Sequence, residues 1–181
     1  MIKKWPYWIL GILLVLFSAL VSYRIYAFRI GFFLSLVSLI ILIYASLIDL
    51  RDQEIDWRIL VVGLVSAVAF YIFTFGFNIA GIALSAFGCA LIPLILVIAS
   101  RERWMGWGDV LIALWVGLLA SFPRSLLAIF LAFFVGSVSG IITLKTGSQR
   151  KTLAFGPYLL VGCLLALAFG DKIIVWYLGV F

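Results

Sequence analysis

Long uncharged runs alternate with short charged clusters along the whole chain. The uncharged runs cover 5–23, 30–48, 59–100, 125–144 and 152–170, and a sixth run, 104–123, is interrupted only by Asp109. A bilayer-spanning helix needs about 20 apolar residues, so the run 59–100 is long enough for two helices. We expect the turn between them near Gly76 and Asn78. The pattern therefore predicts an all-α fold, a polytopic membrane helix bundle with about seven transmembrane helices.

Composition supports a membrane protein and excludes several other classes. Hydrophobic residues make up 67% of the 181 residues, charged residues only 11%, and the mean hydropathy is +1.33. A soluble core of this size cannot absorb so much apolar surface, so membrane lipid is an expected partner. No stretch is long enough to build a basic soluble surface, and we expect no nucleic-acid partner.

Cysteine and histidine usage argues against metal and cofactor chemistry. The chain has no His, and its two cysteines, Cys89 and Cys163, each lie inside apolar runs. Zinc sites and disulfide frameworks need clusters of such residues. We expect no metal, no cofactor and no disulfide.

The basic residues predict the orientation of the bundle. With a cytoplasmic N-terminus, the cytoplasmic loops hold nine Lys and Arg residues and the outer loops hold four. Cytoplasmic loops are enriched in Lys and Arg, which favours this orientation. The nine are Lys3, Lys4, Arg51, Arg58, Arg101, Arg103, Lys145, Arg150 and Lys151; the four are Arg24, Arg29, Arg124 and Lys172.

Two acidic motifs carry the candidate chemistry. Asp49 follows the second span directly, and the sequence Gly106-Trp107-Gly108-Asp109 opens the fifth span. Two complete spans lie between the aspartates, so both return to the same membrane face, where they can meet. Two carboxyl groups at one site cannot both ionise without a large cost in free energy, so they share one proton. One can then take a proton from water while the other hydrogen-bonds a scissile carbonyl, which is the chemistry of aspartic peptidases.

The glycines before Asp109 suggest where a substrate approaches. Gly106 and Gly108 lack a Cβ, so an extended substrate backbone can come close to them. Only about fourteen residues separate Asp109 from Pro123, a helix of about 21 Å against a hydrocarbon core of about 30 Å. We therefore expect Gly106 and Gly108 to bind substrate, as irregular backbone lining a recessed, wet cleft.

These residues carry a family resemblance. Gly106-Trp107-Gly108-Asp109 matches the GxGD signature of the GxGD membrane aspartic peptidases. Asp49, followed six residues later by Ile55, resembles the first catalytic motif of type IV prepilin peptidases, in wording closest to the archaeal preflagellin and prepilin branch. The stretch from Phe155 through Gly156, Pro157 and Tyr158 to Leu159 resembles a further recurring element of that family.

The resemblance implies a function and a division of the chain. It implies that Asp49 and Asp109 are the catalytic pair of an aspartic endopeptidase. The implied substrates are pilin-like or archaellin-like precursors, whose short basic leader is cut at the cytoplasmic face of the cell membrane. It also implies a six-helix peptidase domain at 30–181, with 1–29 as an extra N-terminal transmembrane helix. That helix begins with Lys3 and Lys4, and its apolar run is too long for a secretory signal.

The chain departs from the bacterial pattern at two positions. Many bacterial members have Pro after the isoleucine of the first motif and Lys two residues after the second aspartate, where this chain has Asp56 and Leu111. No N-terminal cysteine-bearing methyltransferase domain is visible. We therefore expect a peptidase without the second activity of bifunctional bacterial enzymes.

Other interpretations stay open at this point. Asp109 can be the N-cap of the fifth helix, Asp49 can simply end the second, and Pro157 can kink the last. Membrane-embedded acids also serve ion- or proton-coupled transporters. A catalytically silent relative that acts as an assembly factor is the remaining alternative.

Overall fold

Seven helices and no strand make up the part of the chain that the computed structural model describes, which is residues 7–26, 30–52, 55–145 and 154–179. The helices are α1 (Tyr7–Tyr26), α2 (Ile30–Asp52), α3 (Trp57–Phe75), α4 (Ile79–Ser100), α5 (Trp107–Ala120), α6 (Arg124–Lys145) and α7 (Gly156–Gly179). The all-α prediction is confirmed. Lys3, Lys4, Arg29, Arg150 and Lys151, which entered the orientation argument, lie outside the described residues.

Five of these helices, α2, α3, α4, α6 and α7, are long and apolar enough to cross a bilayer. The chain is a multi-pass membrane protein. Helix α5 is shorter, with 14 residues, as the sequence predicted. At about 1.5 Å per residue it covers about 21 Å, less than the hydrocarbon core of about 30 Å.

The turn between α3 and α4 lies where the sequence placed it. Helix α3 ends at Phe75, and Gly76 follows with φ 83°, a left-handed conformation that favours glycine. Asn78 caps α4 by accepting a hydrogen bond from the Gly81 N–H at 3.3 Å. The run 59–100 is therefore two helices.

The short helix α5 forms the centre of the bundle. It contacts α2, α3, α4, α6 and α7, and nine of its residues are buried. Gly117 allows the close approach of α4, because a Cβ there would overlap the Ser85 carbonyl oxygen. Gly162 does the same between α7 and α6, where a Cβ would overlap the Ala128 carbonyl oxygen. Small residues of this kind let membrane helices pack backbone to backbone.

A buried tryptophan links α5 to α2 and α3. The Trp115 side chain is fully buried and donates its indole N–H to Ser38 Oγ at 2.8 Å. Ser66 on α3 donates to the same oxygen at 2.9 Å. The Trp115 ring lies against Gly63, in the space that a Cβ would occupy.

Two local features differ from the sequence predictions. Trp107 and Gly108 belong to the first turn of α5, so the expectation of irregular backbone from Gly106 to Gly108 was wrong beyond Gly106. Pro157 lies in the first turn of α7, where its missing N–H interrupts no helical hydrogen bond, so it does not kink the helix. The division into 1–29 and 30–181 stays a prediction; α1 packs against α2 and α7.

Candidate active site

Asp49 lies on the last turns of α2 and faces the interior of the bundle. Its residue is only 7% exposed, whereas Asp52, one turn later, is exposed and pairs with Arg51 at 3.5 Å. Helix α2 continues to Asp52, so Asp49 does not terminate it. A carboxylate buried this deeply needs hydrogen-bond donors.

The start of α7 supplies such a donor. The backbone N–H of Gly156 donates to Asp49 Oδ2 at 2.9 Å. Phe155 begins the helix, because its carbonyl oxygen accepts hydrogen bonds from the N–H groups of Tyr158 at 3.0 Å and Leu159 at 3.1 Å. The Gly156 N–H belongs to the first turn, where N–H groups have no partner within the helix and are free to bind elsewhere.

Asp109 is the third residue of α5, and Gly106 is its N-cap. The Gly106 N–H donates to Asp109 Oδ2 at 3.3 Å, and the Asp109 N–H donates to the Gly106 carbonyl oxygen at 3.2 Å. The first of these bonds is the half of a capping box that a side chain at the third position makes. The N-cap interpretation of Asp109 was therefore wrong, although its carboxylate does stabilise the start of the helix.

The structure brings Asp49 and Asp109 together. Helix α2, which carries Asp49, contacts helix α5, which carries Asp109. A Cβ on Gly156 would lie 2.7 Å from Asp49 Oδ2 and 3.4 Å from Ile112 Cδ1, and Ile112 is one helical turn after Asp109. The ends of α2, α5 and α7 thus meet around the two carboxyl groups. We call this the acidic end of the bundle.

Open space lies beside Asp109, on the side of the two glycines. A Cβ on Gly108 would meet no atom within 4 Å, and one on Gly106 would approach only the Gly108 backbone nitrogen, at 4.0 Å. Asp109 itself is half-buried. A second molecule can therefore come close to the backbone of Gly106 and Gly108 without moving the bundle.

The loop between α4 and α5 forms the rim of the acidic end. Arg101 and Glu102 adopt left-handed conformations, with φ of 51° and 62°, which is unusual for residues with a side chain. Glu102 accepts a hydrogen bond from the Trp107 indole N–H at 2.7 Å. Trp104 is 77% exposed and Trp57 is 67% exposed at the same end. Exposed tryptophans of this kind are typical of the membrane–water interface.

The remaining acidic residues stay away from the pair or have local partners. Asp56 caps α3 through a hydrogen bond from the Arg58 N–H at 2.9 Å. Asp171 pairs with Arg124 at 2.7 Å, far along α7 from Gly156. Glu54 is outside the described residues. Among the described residues, no group of three or more His, Cys, Asp or Glu side chains could hold a metal ion.

Sequence reasoning named Asp49, Asp109, Gly106 and Gly108 but missed the role of Gly156. Ser46, one turn before Asp49, was missed as well. Its hydroxyl group donates to the Leu42 carbonyl oxygen at 2.8 Å, and it also lies 3.4 Å from the Gly156 carbonyl oxygen. The signal for Gly156 was present in the recurring Phe-Gly-Pro-Tyr element. Nothing in the sequence gives the contact between that element and Asp49.

Comparisons with known proteins point to one family. The sequence model of the type IV leader peptidase family matches residues 36–141, which contain both Asp49 and Asp109. The segment around Gly156 lies beyond the matched residues.

Curated relatives match over a shorter stretch. The prepilin leader peptidase/N-methyltransferase of Aeromonas salmonicida (strain A449) is 34% identical over 80 residues, which is 43% of this chain and 28% of the relative. The protein of the same description from Legionella pneumophila is 34% identical over 77 residues, 41% of this chain and 27% of the relative. The match thus spans little more than a quarter of these relatives. No solved structure matches the chain.

The family match covers more than half of the chain and includes both aspartates of the acidic end. This multi-pass helical protein belongs to the type IV leader peptidase family.

Proposed function

We propose that this protein is a membrane aspartic endopeptidase that removes the leader from type IV pilin-like or archaellin-like precursors. The observation that carries the proposal is the meeting of Asp49 and Asp109 at the acidic end, where the start of α7 lies against both Asp49 and Ile112, one helical turn after Asp109. Both aspartates also lie within the residues that match the type IV leader peptidase family, which supports the proposal. The relatives are named as prepilin leader peptidases, and we extend that activity to this chain.

The two carboxyl groups divide the work of hydrolysis. The pair shares one proton, so one member is ionised and the other is protonated. The ionised carboxylate takes a proton from a water molecule, whose oxygen attacks the scissile carbonyl carbon. The protonated carboxyl donates its proton to the carbonyl oxygen. When the C–N bond breaks, the carboxyl group that took the water proton gives it to the leaving amine. The other carboxylate takes a proton back from a hydroxyl group of the tetrahedral intermediate, so the pair returns to its starting state.

The substrate backbone approaches from the open side at Gly106 and Gly108. No Cβ blocks that side, and the N–H groups of Trp107 and Gly108 come before the first regular hydrogen bond of α5. An extended segment can pair with such groups, as in other modes of strand addition. Because Gly108 is helical, the contact is to a helix N-terminus and not to an irregular loop.

The acidic end faces the cytoplasm in this proposal. Four basic residues lie close in sequence to Asp49 or Asp109: Arg51, Arg58, Arg101 and Arg103. The ion pair of Arg124 and Asp171 lies at the opposite end of the bundle. An excess of Lys and Arg marks cytoplasmic loops. The exposed apolar side chains around the bundle contact membrane lipid.

The direct test is cleavage by the purified protein. The protein in detergent is incubated with a precursor that carries a basic leader followed by an apolar helix, and the products are identified by mass spectrometry. We expect one cut, at the junction of leader and helix, that is lost in both Asp49→Asn and Asp109→Asn. A well-folded protein that leaves several such precursors intact would contradict the proposal and favour a transporter or an assembly factor.

A further inference from the structure

The start of α7 meets Asp49 through the backbone of Gly156. The Gly156 N–H donates to Asp49 Oδ2 at 2.9 Å, and both groups are buried. Ser46 approaches the carbonyl oxygen of the same glycine at 3.4 Å. The two contacts lie one helical turn apart on α2, so the backbone of Gly156 ties this part of α2 to α7.

The missing side chain of Gly156 is as important as its N–H. A Cβ there would lie 2.7 Å from Asp49 Oδ2, closer than such atoms can pack. The next contacts, the Asp49 Cγ and Ile112 Cδ1, would both be at 3.4 Å. The first atom to be displaced would be the carboxylate oxygen, which can swing away by rotation of its side chain. An added methyl group would thus disturb the carboxyl group more than the helix packing.

Two aromatic residues fix this segment to α6. The rings of Phe155 and Phe133 lie 4.8 Å apart between centroids, and the hydroxyl groups of Tyr158 and Ser139 are hydrogen-bonded at 2.6 Å. These contacts flank Gly156 on both sides in sequence. They hold the Gly156 N–H in place before any substrate binds, and a preorganised donor needs no rearrangement during the reaction.

We propose that Gly156 is a positioning residue of the active site, whose N–H orients the Asp49 carboxyl group toward Asp109 and whose lack of a Cβ leaves room for it. This inference rests on the proposed peptidase function. Gly156 does not touch substrate in this view; it acts through Asp49. The segment from Phe155 to Tyr158 is the support that holds it.

The test compares two alanine variants of α7. Gly156→Ala moves the Asp49 carboxyl group, whereas Gly162→Ala forces a Cβ against the Ala128 carbonyl oxygen, far from the acidic end. We expect Gly156→Ala to lower kcat by about 10²-fold, the typical effect of misplacing a catalytic group by about 1 Å. Its KM should change little, because the substrate contacts lie on α5, and its melting temperature in detergent should fall less than that of Gly162→Ala, because a carboxylate oxygen and not a backbone atom has to move. Gly162→Ala should show the reverse, a lower melting temperature with a smaller change in kcat.

A milder variant covers the case in which Gly156→Ala does not fold. Tyr158→Phe removes the hydrogen bond to Ser139 and leaves Asp49 untouched. We expect a several-fold lower kcat with unchanged KM. If the wild type cuts the precursor, two results would overturn the inference. One is normal kcat in both Gly156→Ala and Tyr158→Phe. The other is an equal loss of kcat and stability in Gly156→Ala and Gly162→Ala. A wild-type protein that cuts no precursor would overturn the proposed function instead, and this inference with it.

Discussion

Trp115 donates its indole N–H to Ser38 at 2.8 Å in the buried centre of the bundle. Trp115 lies six residues after Asp109 on α5, and Ser38 lies on the same helix as Asp49. Little water competes for this hydrogen bond at such depth, so the bond fixes the position of α5 along the axis of α2. The position of Asp109 relative to Asp49 therefore depends on a contact about two turns from Asp109 and about three turns from Asp49.

The first prediction concerns the catalytic pair. Asp49→Asn and Asp109→Asn should each lower cleavage by about 10²–10⁴-fold, because each removes a proton carrier. The amide oxygen can still accept the hydrogen bond from Gly156 or Gly106, so both variants should insert and purify normally. Turnover of a precursor peptide in detergent measures the effect.

Asp52→Asn and Asp56→Asn are the matched controls for these variants. Asp52 is exposed, and Asn is as good an N-cap as Asp at position 56. Both should cleave at near the wild-type rate. Near-normal activity in either member of the proposed pair would remove that residue from the catalytic site.

The second prediction tests the open side at Gly108. Gly108→Val places a branched side chain in space that is empty in the structure, so the bundle should keep its stability. If substrate backbone occupies that space, kcat/KM should fall by at least about tenfold, which is about 1.4 kcal/mol of transition-state binding.

Trp107→Phe is the companion variant. It loses only the exposed hydrogen bond to Glu102, and such a bond contributes about 1 kcal/mol or less. We expect activity close to that of the wild type. A fully active Gly108→Val enzyme would show that substrate does not approach the backbone here.

The third prediction concerns sidedness. A cysteine placed at Asp52 should react with a membrane-impermeant thiol reagent only from the cytoplasm, and one at Phe77, in the turn between α3 and α4, only from outside. Both positions are exposed, whereas Cys89 and Cys163 are buried and should add no background. Labelling of intact cells and of inverted membrane vesicles separates the two sides. Labelling of position 52 in intact cells would contradict a cytoplasmic active site.

The fourth prediction tests the link between α5 and its neighbours. Gly63→Ala puts a methyl group into the space held by the Trp115 ring, which is fully buried. Overpacking of this kind costs about 1–3 kcal/mol, so the melting temperature in detergent should fall. Cleavage should fall too, because α5 carries Asp109.

Gly11→Ala on α1 is the control for that substitution. A Cβ there would be 3.4 Å from Leu47 Cδ1, close to an ordinary contact, and both variants gain the helix propensity of alanine. We expect a melting temperature near that of the wild type. Equal stability of Gly63→Ala and Gly11→Ala would mean that Trp115 does not lock α5.

The sequence by itself determined the helices and the pairing of the motifs. In a bilayer the backbone polar groups must be satisfied within the protein, and apolar runs of about 20 residues do this as helices. The lengths of the runs marked α5 as the short helix. An even number of spans between Asp49 and Asp109 placed both at one end. The turn at Gly76 and Asn78 followed from local chemistry in the same way.

Only the tertiary structure decided how these parts meet. The hydrogen bond from Gly156 to Asp49 joins residues 107 positions apart, and it exists because two helices approach closely at a glycine. The enclosure of α5 by five neighbours, with Trp115 bonded to Ser38, is of the same kind. Periodicity and charge report which face of a segment is apolar and where it ends. Which faces come into contact depends on the shapes of side chains far apart in the sequence, and no local pattern records that.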